Sequence, residues 1–322
     1  MNASIGIKDV VYYKPDHVYT IDELSAQGKV DSGEEELKKF GFSNCAISSK
    51  SSSDMAIEVS KELLEKNNVN PCDVGLLICA HAISPSGMVP AKGDKCVLDS
   101  GISNLGLFKF AAPRLQYELD LHEAKVIGLS DLGCVSLLNA VGLAKDVLPS
   151  TNKRYAVCVN ADVLPESSSR EVLYSVISDA ACAVLIDMES DDNHILGHAQ
   201  LTKGFYWDCE DTNNELLAAY FPTASRFISN FMDSKKITMS DIKKILPNNV
   251  SKRSWEILCN LLGIGLDKVY TSNISKTGHS IACDNFINYA DMVHDGHIEK
   301  GDLLLLFGFG LGAHWSCMLV QV

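Results

Sequence analysis

Basic residues are scarce in this chain of 322 residues: 28 lysines and arginines stand against 41 aspartates and glutamates, which leaves a formal charge of −13. That sign repels phosphate backbones and anionic lipid headgroups, although a local basic patch can still bind an acidic carrier. Long apolar runs are also lacking, since the longest, residues 303–313, falls short of the ~20 residues that span a bilayer. We therefore expect a soluble protein that binds neither nucleic acid nor membrane.

The eleven cysteines include no C-x-x-C pair and no His/Cys cluster with the spacing of a metal site. Most lie in apolar runs such as residues 75–81 and 155–161, where a free cysteine packs as a small hydrophobe. The N-terminal residues lack the basic-then-apolar order of a secretory signal. These patterns predict a reduced, cytoplasmic protein with no metal.

Apolar runs of strand length alternate with segments of helical period, which is typical of an α/β protein with buried strands. The clearest predicted strands are residues 74–80, 154–162, 182–188 and 303–310. The clearest predicted helices are residues 54–68, 135–148 and 251–263.

The sequence also contains an internal repeat in the order of its predicted elements. Residues 53–81 and 223–249 both give a helix, a short turn and a strand that follows an aspartate. Repeated order at this scale indicates a duplicated unit. We therefore expect two structural copies, residues 1–190 and 191–322.

A second pair of similar segments places two reactive residues at equivalent positions. Residues 124–134 and 267–279 both run from a predicted strand through a loop to a glycine followed by Cys134 or His279. Gly133 permits a tight approach, and the apolar helix predicted after Cys134 offers its positive end, which favours a thiolate. Packing of the two copies would bring both helix starts face to face, although a cysteine in an apolar setting is more often a packing residue.

Three segments resemble the β-ketoacyl-acyl-carrier-protein synthase III family. "SDLGCVSLLNA" resembles its nucleophile segment, in which a cysteine opens the central helix of the first half. Residues 177–186 are similar to its Ser-Asp-Gly-Ala strand entry, and residues 304–320 to its Gly-Phe-Gly loop and closing strand. The resemblance spans essentially the whole chain in the family's order. It implies the α/β thiolase fold, with two pseudo-symmetric halves in a layered αβαβα arrangement.

The family's other catalytic groups are a His in Pro-His-Gln-Ala-Asn-x-Arg and an Asn in Gly-Asn-Thr. This chain reads "PNNVSKR" and "TGHS", so Asn248 stands at the His position and His279 at the Asn position. With the two types exchanged, the resemblance implies that His279 is the acid or base and that Asn248 is a polar anchor. Either residue alone would more often be a satisfied core hydrogen-bonding group.

The same segments resemble an offshoot of the family found in secondary metabolism, some members of which transfer acyl groups to hydroxyl or amine acceptors. Its patterns are Pro-His-Asn-Val-Asn-x-x-Ser-Trp, whose first His is absent here, and Gly-His-x-x-x-x-Asp-x-x-Ile-Asn. Asp284 matches the Asp and is a candidate to orient His279. Five residues along one helix would separate the two side chains by about 140°. Contact therefore requires a non-helical loop, and a helix cap or a buried hydrogen bond is the alternative.

The resemblance further implies an oxyanion hole made by the backbone N–H of Cys134 and an N–H of the loop at Gly310 and Leu311. Lys252 and Arg253 match the basic edge that receives the phosphopantetheine carrier, with simple solvation of a helix start as the alternative.

In the family, a tryptophan and several arginines hold the CoA nucleotide, whereas residues 32–50 here contain neither type. We therefore expect an acyl carrier protein as donor, with acyl-CoA as the other possibility. The relatives generally pair through the first half, so we also expect a homodimer.

Three functions stay open. The first is an acyltransferase that takes an acyl group onto Cys134 and passes it to an oxygen, nitrogen, sulfur or carbon nucleophile. The second is a decarboxylative 3-oxoacyl-ACP synthase III that forms a β-keto product. The third is a catalytically silent partner subunit. The two enzymes would use the acyl thioester of phosphopantetheine as substrate and no other cofactor.

Overall fold

The computed structural model describes residues 4–15, 17–83, 109–296 and 298–322. The strands of this part of the chain are β1 (Gly6–Tyr13), β2 (His17–Thr20), β3 (Asn44–Ile47), β4 (Val74–Ala80), β5 (Lys125–Leu129), β6 (Tyr155–Asp162), β7 (Glu171–Val172), β8 (Ser175–Val176), β9 (Ala180–Asp187), β10 (His194–Thr202), β11 (Ile242–Pro247), β12 (Leu303–Gly310) and β13 (His314–Gln321). The α-helices are α1 (Ile21–Ala26), α2 (Glu34–Lys39), α3 (Ser52–Lys66), α4 (Ala111–Glu118), α5 (Ser136–Val147), α6 (Asn213–Lys235), α7 (Lys252–Leu262), α8 (Ser272–Thr277) and α9 (Asp284–His294).

The predicted elements agree closely with these bounds. β4 and β12 begin and end where the sequence predicts, because each is a continuous apolar run that is buried on both faces. The runs predicted for β6 and β9 are correct to within two residues at either end, as are the three predicted helices, which are α3, α5 and α7. No helix in the described ranges is long and apolar enough to cross a membrane.

A mixed sheet carries the fold, with strand order β11-β12-β13-β10-β1-β9-β6-β4-β5. In its first part, β5, β4 and β6 are parallel, and β9 and β1 are antiparallel to their neighbours. In its second part, β11 and β12 are parallel, and β13 and β10 are antiparallel. A bridge between Ile245 and Val269 occupies the place beside β11 that β5 occupies beside β4. The two parts therefore repeat one order and one set of directions.

The segment before His279 differs from the prediction. Residues 267–279 were expected to begin with a strand and continue as a loop, but only the bridge at Val269 forms, and α8 follows before His279. The two parts of the sheet meet where Gly6 pairs with His194. The division into domains at residue 190 stays a prediction.

Two central helices lie between the parts of the sheet. α5 packs on β4, β6 and β9 on one side and on β10 and β13 on the other, and α9 packs on β11 and β12 as well as on β1 and β9. α3 and α4 cover the outer face of the first part, and α6, with α7 against it, covers the outer face of the second. The layered αβαβα arrangement is confirmed.

The buried apolar side chains follow these layers. One cluster joins α5 and α9 to both parts of the sheet, and two further clusters lie under the outer helices. Nearly every residue of α5 from Ser136 to Ala144 is buried, which is typical of a helix enclosed on all sides. The start of α5, where Cys134 lies, is therefore held inside the central layer.

Candidate active site

Cys134 lies in a single 3-10 turn, Gly133–Val135, that leads directly into α5. Asp131 and Gly133 both have left-handed backbone angles, with φ of 66° and 52°. A Cβ at position 133 would lie 3.0 Å from the Leu311 nitrogen. The turn therefore needs glycine both for its backbone angle and for the close approach of the 310–312 loop. The Cys134 side chain is partly buried.

His279 is held by its main chain at the entrance to the other central helix. Its N–H donates to the Val176 carbonyl at 2.8 Å, and its carbonyl accepts from the Ser178 N–H at 2.9 Å. The Ser178 hydroxyl donates to the Thr277 carbonyl, one residue before Gly278. The imidazole is only 4% exposed. The segment resembling the Ser-Asp-Gly-Ala entry therefore positions the histidine.

A buried ion pair braces the same segment. The Asp179 carboxylate accepts from the Arg170 guanidinium at 2.5 Å and from the backbone N–H groups of Ser48 and Leu164 at 2.9 and 3.0 Å. Both charged side chains are almost fully buried. Sequence reasoning missed Arg170, because no local pattern links it to Asp179 across the β7–β8 hairpin.

Asp284 contacts His279 directly. Ser280 and the 3-10 turn Ile281–Cys283 separate the two residues, so the non-helical connection that contact requires is present. The Nδ1 atom of His279 is hydrogen-bonded to the Oδ2 atom of Asp284. The same carboxylate accepts the backbone N–H groups of Ser280 at 2.7 Å and Asn249 at 2.6 Å. Asp284 thus both orients the imidazole and anchors the loop.

The charges around His279 favour its protonated form. Burial alone would lower its pKa, but electrostatic interactions with Asp284 and Cys134, together with hydrogen bonds to both side chains, raise the pKa to about 10. Because Nδ1 is taken by Asp284, Nε2 is the nitrogen left for Cys134. The three side chains form a series from thiol to imidazole to carboxylate.

The amide of Asn248 holds three segments together. Its Nδ2 donates to the carbonyls of Cys134 at 3.3 Å and Ile281 at 3.4 Å, and its Oδ1 accepts from the Phe309 N–H at 2.7 Å. The residue is 2% exposed. Asn248 thus joins the turn that contains Cys134, the loop after His279 and the end of β12. This geometry fits a polar anchor, and its catalytic role stays a prediction.

The end of β12 packs tightly against the turn Gly133–Val135. A Cβ on Gly308 would lie 2.5 Å from Asn248 Oδ1, and a Cβ on Gly310 would lie 2.3 Å from the Leu132 carbonyl and 3.0 Å from the Cys134 nitrogen. Only glycine permits this approach without a shift of the backbone. The N–H groups of Cys134 and Leu311 thus belong to two backbones in contact, which suits the predicted oxyanion hole without testing it.

Residues 232–322 match the family described as 3-oxoacyl-[acyl-carrier-protein (ACP)] synthase III C terminal. The chain is similar to the 3-oxoacyl-ACP synthase III enzymes. The β-ketoacyl-[acyl-carrier-protein] synthase III of Staphylococcus haemolyticus (strain JCSC1435) is 24% identical over 99% of each chain. The resemblance drawn from the motifs is confirmed.

Solved structures show the same fold. The 3-oxoacyl-[acyl-carrier-protein] synthase III of Aquifex aeolicus VF5 superposes with a TM-score of 0.80 at 20% identity, covering 99% of this chain and 100% of that one. ChlB3, described as an acyltransferase, also superposes with a TM-score of 0.80 at 20% identity, covering 99% and 98%. The thiolase fold is therefore confirmed. Identities this low establish the fold and not the reaction.

Lys252 and Arg253, the two residues matched to the family's basic edge, are the first two residues of α7. Both are exposed, the Lys252 N–H donates to the Phe40 carbonyl at 2.7 Å, and the Arg253 guanidinium donates to Glu256 at 3.0 Å. Lys252 also lines a cleft of about 580 Å³, whose lining includes none of Cys134, His279 and Asn248. The role of the two basic residues in carrier binding stays a prediction.

Proposed function

We propose that this chain is an acyltransferase. Cys134 accepts an acyl group from a phosphopantetheine thioester and passes it to a nucleophilic acceptor. The observation that carries the proposal is the series from the partly buried Cys134 through the buried His279 to the buried Asp284. A thiol beside an oriented imidazole is the arrangement that forms covalent acyl intermediates.

In the first half-reaction, the Cys134 thiolate attacks the thioester carbonyl and forms a new C–S bond. Protonated His279 supports the thiolate before attack, since each charge stabilises the other. When the tetrahedral intermediate collapses, the C–S bond to phosphopantetheine breaks. The departing thiolate takes the proton from His279, which leaves an acyl-thioester on Cys134 and a neutral imidazole.

In the second half-reaction, His279 acts as a base instead of an acid. Acylation removes the negative charge of Cys134, which is one of the groups that raise the pKa of His279. The acyl-enzyme therefore holds a better base than the free enzyme. Nε2 takes the proton of the acceptor as its oxygen, nitrogen or sulfur attacks the acyl carbonyl, and Cys134 departs as a thiolate. The imidazolium–thiolate pair is then restored.

The developing oxyanion needs donors at fixed positions. We assign these to the backbone N–H groups of Cys134 and Leu311, which the contact between Gly133 and Gly310 holds together. A rigid backbone site costs little reorganisation during the reaction. Asn248 fixes one side of this site through its hydrogen bonds to the Cys134 carbonyl and the Phe309 N–H.

Transfer to a heteroatom suits the site better than decarboxylative condensation. Condensation must stabilise an enolate oxygen after loss of carbon dioxide, conventionally with a His and an Asn that present donors. Here both Nδ2 hydrogens of Asn248 are directed at carbonyls, those of Cys134 and Ile281. That amide therefore has no spare donor for an enolate.

For the donor we favour an acyl carrier protein over CoA. Lys252 and Arg253 give an exposed basic edge to a chain that is otherwise strongly acidic, which suits an acidic carrier. The 32–50 segment has neither the tryptophan nor the arginine that would clamp a nucleotide.

Intact-protein mass spectrometry tests the proposal. The purified chain is mixed with matched acyl-carrier-protein and acyl-CoA donors, and the mass increment is followed in the wild type and in Cys134→Ala. We expect one acyl increment that maps to Cys134 and is absent from the variant. Acylation at another cysteine, or none with either class of donor, would overturn the assignment and favour a silent partner subunit.

The acyl-enzyme is then offered hydroxyl and amine acceptors in parallel with a malonyl carrier. Loss of the increment with a heteroatom acceptor supports the acyltransferase. Release of carbon dioxide with a β-keto product identifies a condensing enzyme instead.

A further inference from the structure

The inner face of α9 carries an unusual polar stripe. Asp284, Asn288 and Asp291 are spaced i, i+4 and i+7, so they lie on one side of the helix. Asp284 and Asn288 are fully buried. A buried polar group is costly unless each donor and acceptor is satisfied. The stripe therefore needs partners on the elements packed against it.

The amide of Asn288 holds the segment that contains Asn248. Its Nδ2 donates to the carbonyl of Pro247 at 3.0 Å and to the side-chain oxygen of Asn249 at 2.9 Å. One side chain thus fixes the residues on both sides of Asn248.

The segment held by Asn288 also holds Asp284. The backbone N–H of Asn249 donates to Asp284 Oδ2 at 2.6 Å, and Oδ2 is the same oxygen that contacts His279. If the 247–249 segment moved, this donor would move and the carboxylate would lose one of its fixed partners. Asn288 therefore influences the position of His279 through Asn249 and Asp284. It does not contact the reacting atoms.

The other end of the stripe is tied to the first part of the sheet. Asn273 Nδ2 donates to Asn288 Oδ1 at 3.0 Å and to Asp291 Oδ2 at 2.7 Å. Asp291 also accepts from the Tyr12 hydroxyl and, at 3.3 Å, from Lys14. These contacts hold the Asn288 amide in place from residues outside the 247–249 segment.

We propose that Asn288 is a positioning residue for the acyl-transfer site: its amide sets the 247–249 segment, and that segment in turn holds Asp284 against His279. The proposal deepens the proposed function and rests on it only in treating Cys134 and His279 as the reacting pair.

The consequence is measurable at Cys134 without any substrate. The charged groups that face His279 are Asp284 and Cys134 itself. A carboxylate that is less well held supports the imidazolium less, so the thiolate of Cys134 needs a higher pH to form. Alkylation by iodoacetamide follows the thiolate and can be read at Cys134 by peptide mass spectrometry, apart from the ten other cysteines.

The experiment compares Asn288→Ala and Asn288→Leu with Asn285→Ala. Asn288→Leu keeps the approximate size of the side chain but removes both donor hydrogens. Asn285 is the matched control because it is equally buried on the same helix and its side chain donates to two carbonyls, those of Leu246 and Phe307, and to neither Asn249 nor Asp284.

We expect both Asn288 variants to move the midpoint of Cys134 alkylation upward by ~0.5 units or more and to lower kcat by ~10-fold to 100-fold with KM within about threefold, as a small misplacement in a reacting pair does. Asn285→Ala should keep the wild-type midpoint even where it lowers the unfolding midpoint. An unchanged midpoint in the Asn288 variants, or an equal shift in Asn285→Ala, would overturn the proposal.

A folding defect does not block the test. If neither Asn288 variant folds, Asn273→Ala removes the donor to Asn288 Oδ1 and should shift the midpoint in the same direction by less; no shift there counts against the proposal. The alkylation readout needs no acyl donor. If Cys134 fails to become acylated while the midpoint still moves as expected, the proposed function fails and the positioning role stands.

Discussion

At the scale of single residues, the proposed exchange of Asn248 and His279 assigns the proton transfer to His279. Asn248 cannot titrate near neutral pH, whereas His279 faces Cys134 and is backed by a carboxylate. We expect His279→Ala to lower turnover by ~10²-fold to 10⁴-fold, the usual effect of a positioned acid or base. Single-turnover acylation followed by acceptor transfer measures the two half-reactions separately.

Asn248→Ala serves as the comparison. It should cost less than His279→Ala, because the amide anchors backbone and does not carry a proton, and Asn248→His should be tolerated. Near-wild-type rates in His279→Ala together with an inactive Asn248→Ala would contradict the exchange of roles.

Asp284→Asn tests the electrostatic support of His279. Removal of the charge should bring the pKa of His279 down from about 10 towards its ordinary value, so the imidazolium is lost at a lower pH and the thiolate of Cys134 forms at a higher one. The alkylation profile of Cys134 against pH measures the shift. Asp295→Asn, on the exposed end of the same helix, should leave the profile unchanged. Equal profiles for Asp284→Asn and the wild type would refute the support.

The same pair links stability to pH. His279 has a raised pKa in the folded state, so its contribution is fully present below the ordinary value near ~6.5 and is lost as pH rises towards about 10. Asp284→Asn should weaken this dependence, measured by denaturant unfolding across this pH range, because Asp284 is the first of the charges that raise the pKa of His279.

The contact between His279 and Asp284 shows where residue-level prediction ends. The spacing of five residues leaves both a continuous helix and a non-helical loop open; in the structure Ser280 and the turn Ile281–Cys283 intervene, and Ile281 has a φ of 52°. Ser280 to Cys283 contain no glycine or proline to signal this break. The residues themselves were predictable from motif position, and their mutual orientation was not.

At the scale of elements, the geometry of the site depends on how closely β12 approaches the turn Gly133–Val135. We expect Gly310→Ala to force the Leu132–Cys134 backbone away from β12, because the added Cβ would lie 2.3 Å from the Leu132 carbonyl. A loss of ~1–3 kcal/mol, as for overpacking, should accompany slower acylation of Cys134. Denaturant unfolding and the acylation rate measure the two effects.

Gly204→Ala is the control for this change, since a Cβ there meets nothing within 4 Å. It should leave both quantities near the wild type. Unaltered acylation in Gly310→Ala would show that the close approach is not needed.

Elements buried on both faces were the most predictable. β4 and β12 are continuous apolar runs, so their bounds follow from hydrophobicity alone. The strand expected at the start of residues 267–279 fails for a local reason: Val269 makes one bridge, and α8 already begins at Ser272, which leaves too few residues for a strand. Sequence patterns could not show how early that helix would begin.

At the scale of the whole molecule, the edge of the sheet favours self-association. β5 is the last strand of the first part, and α4, which packs beside it, exposes 74% of Tyr117. In the described part of the chain no strand pairs with the outer side of β5, and a sheet edge next to an exposed aromatic residue is a surface that a second copy can cover. We expect a homodimer, measured by light scattering at micromolar concentration. A monomer under those conditions would refute it.

The enclosure of α5 between the two parts of the sheet has a consequence for synthesis on the ribosome. The helix emerges well before β10 to β13, so the face that these strands later cover stays open while more than a hundred further residues are added. During that interval the apolar face is open to aggregation or to a chaperone, and Cys134 has neither its histidine nor the loop at Leu311. The site proposed at Cys134 is therefore assembled only when the most C-terminal strands are in place.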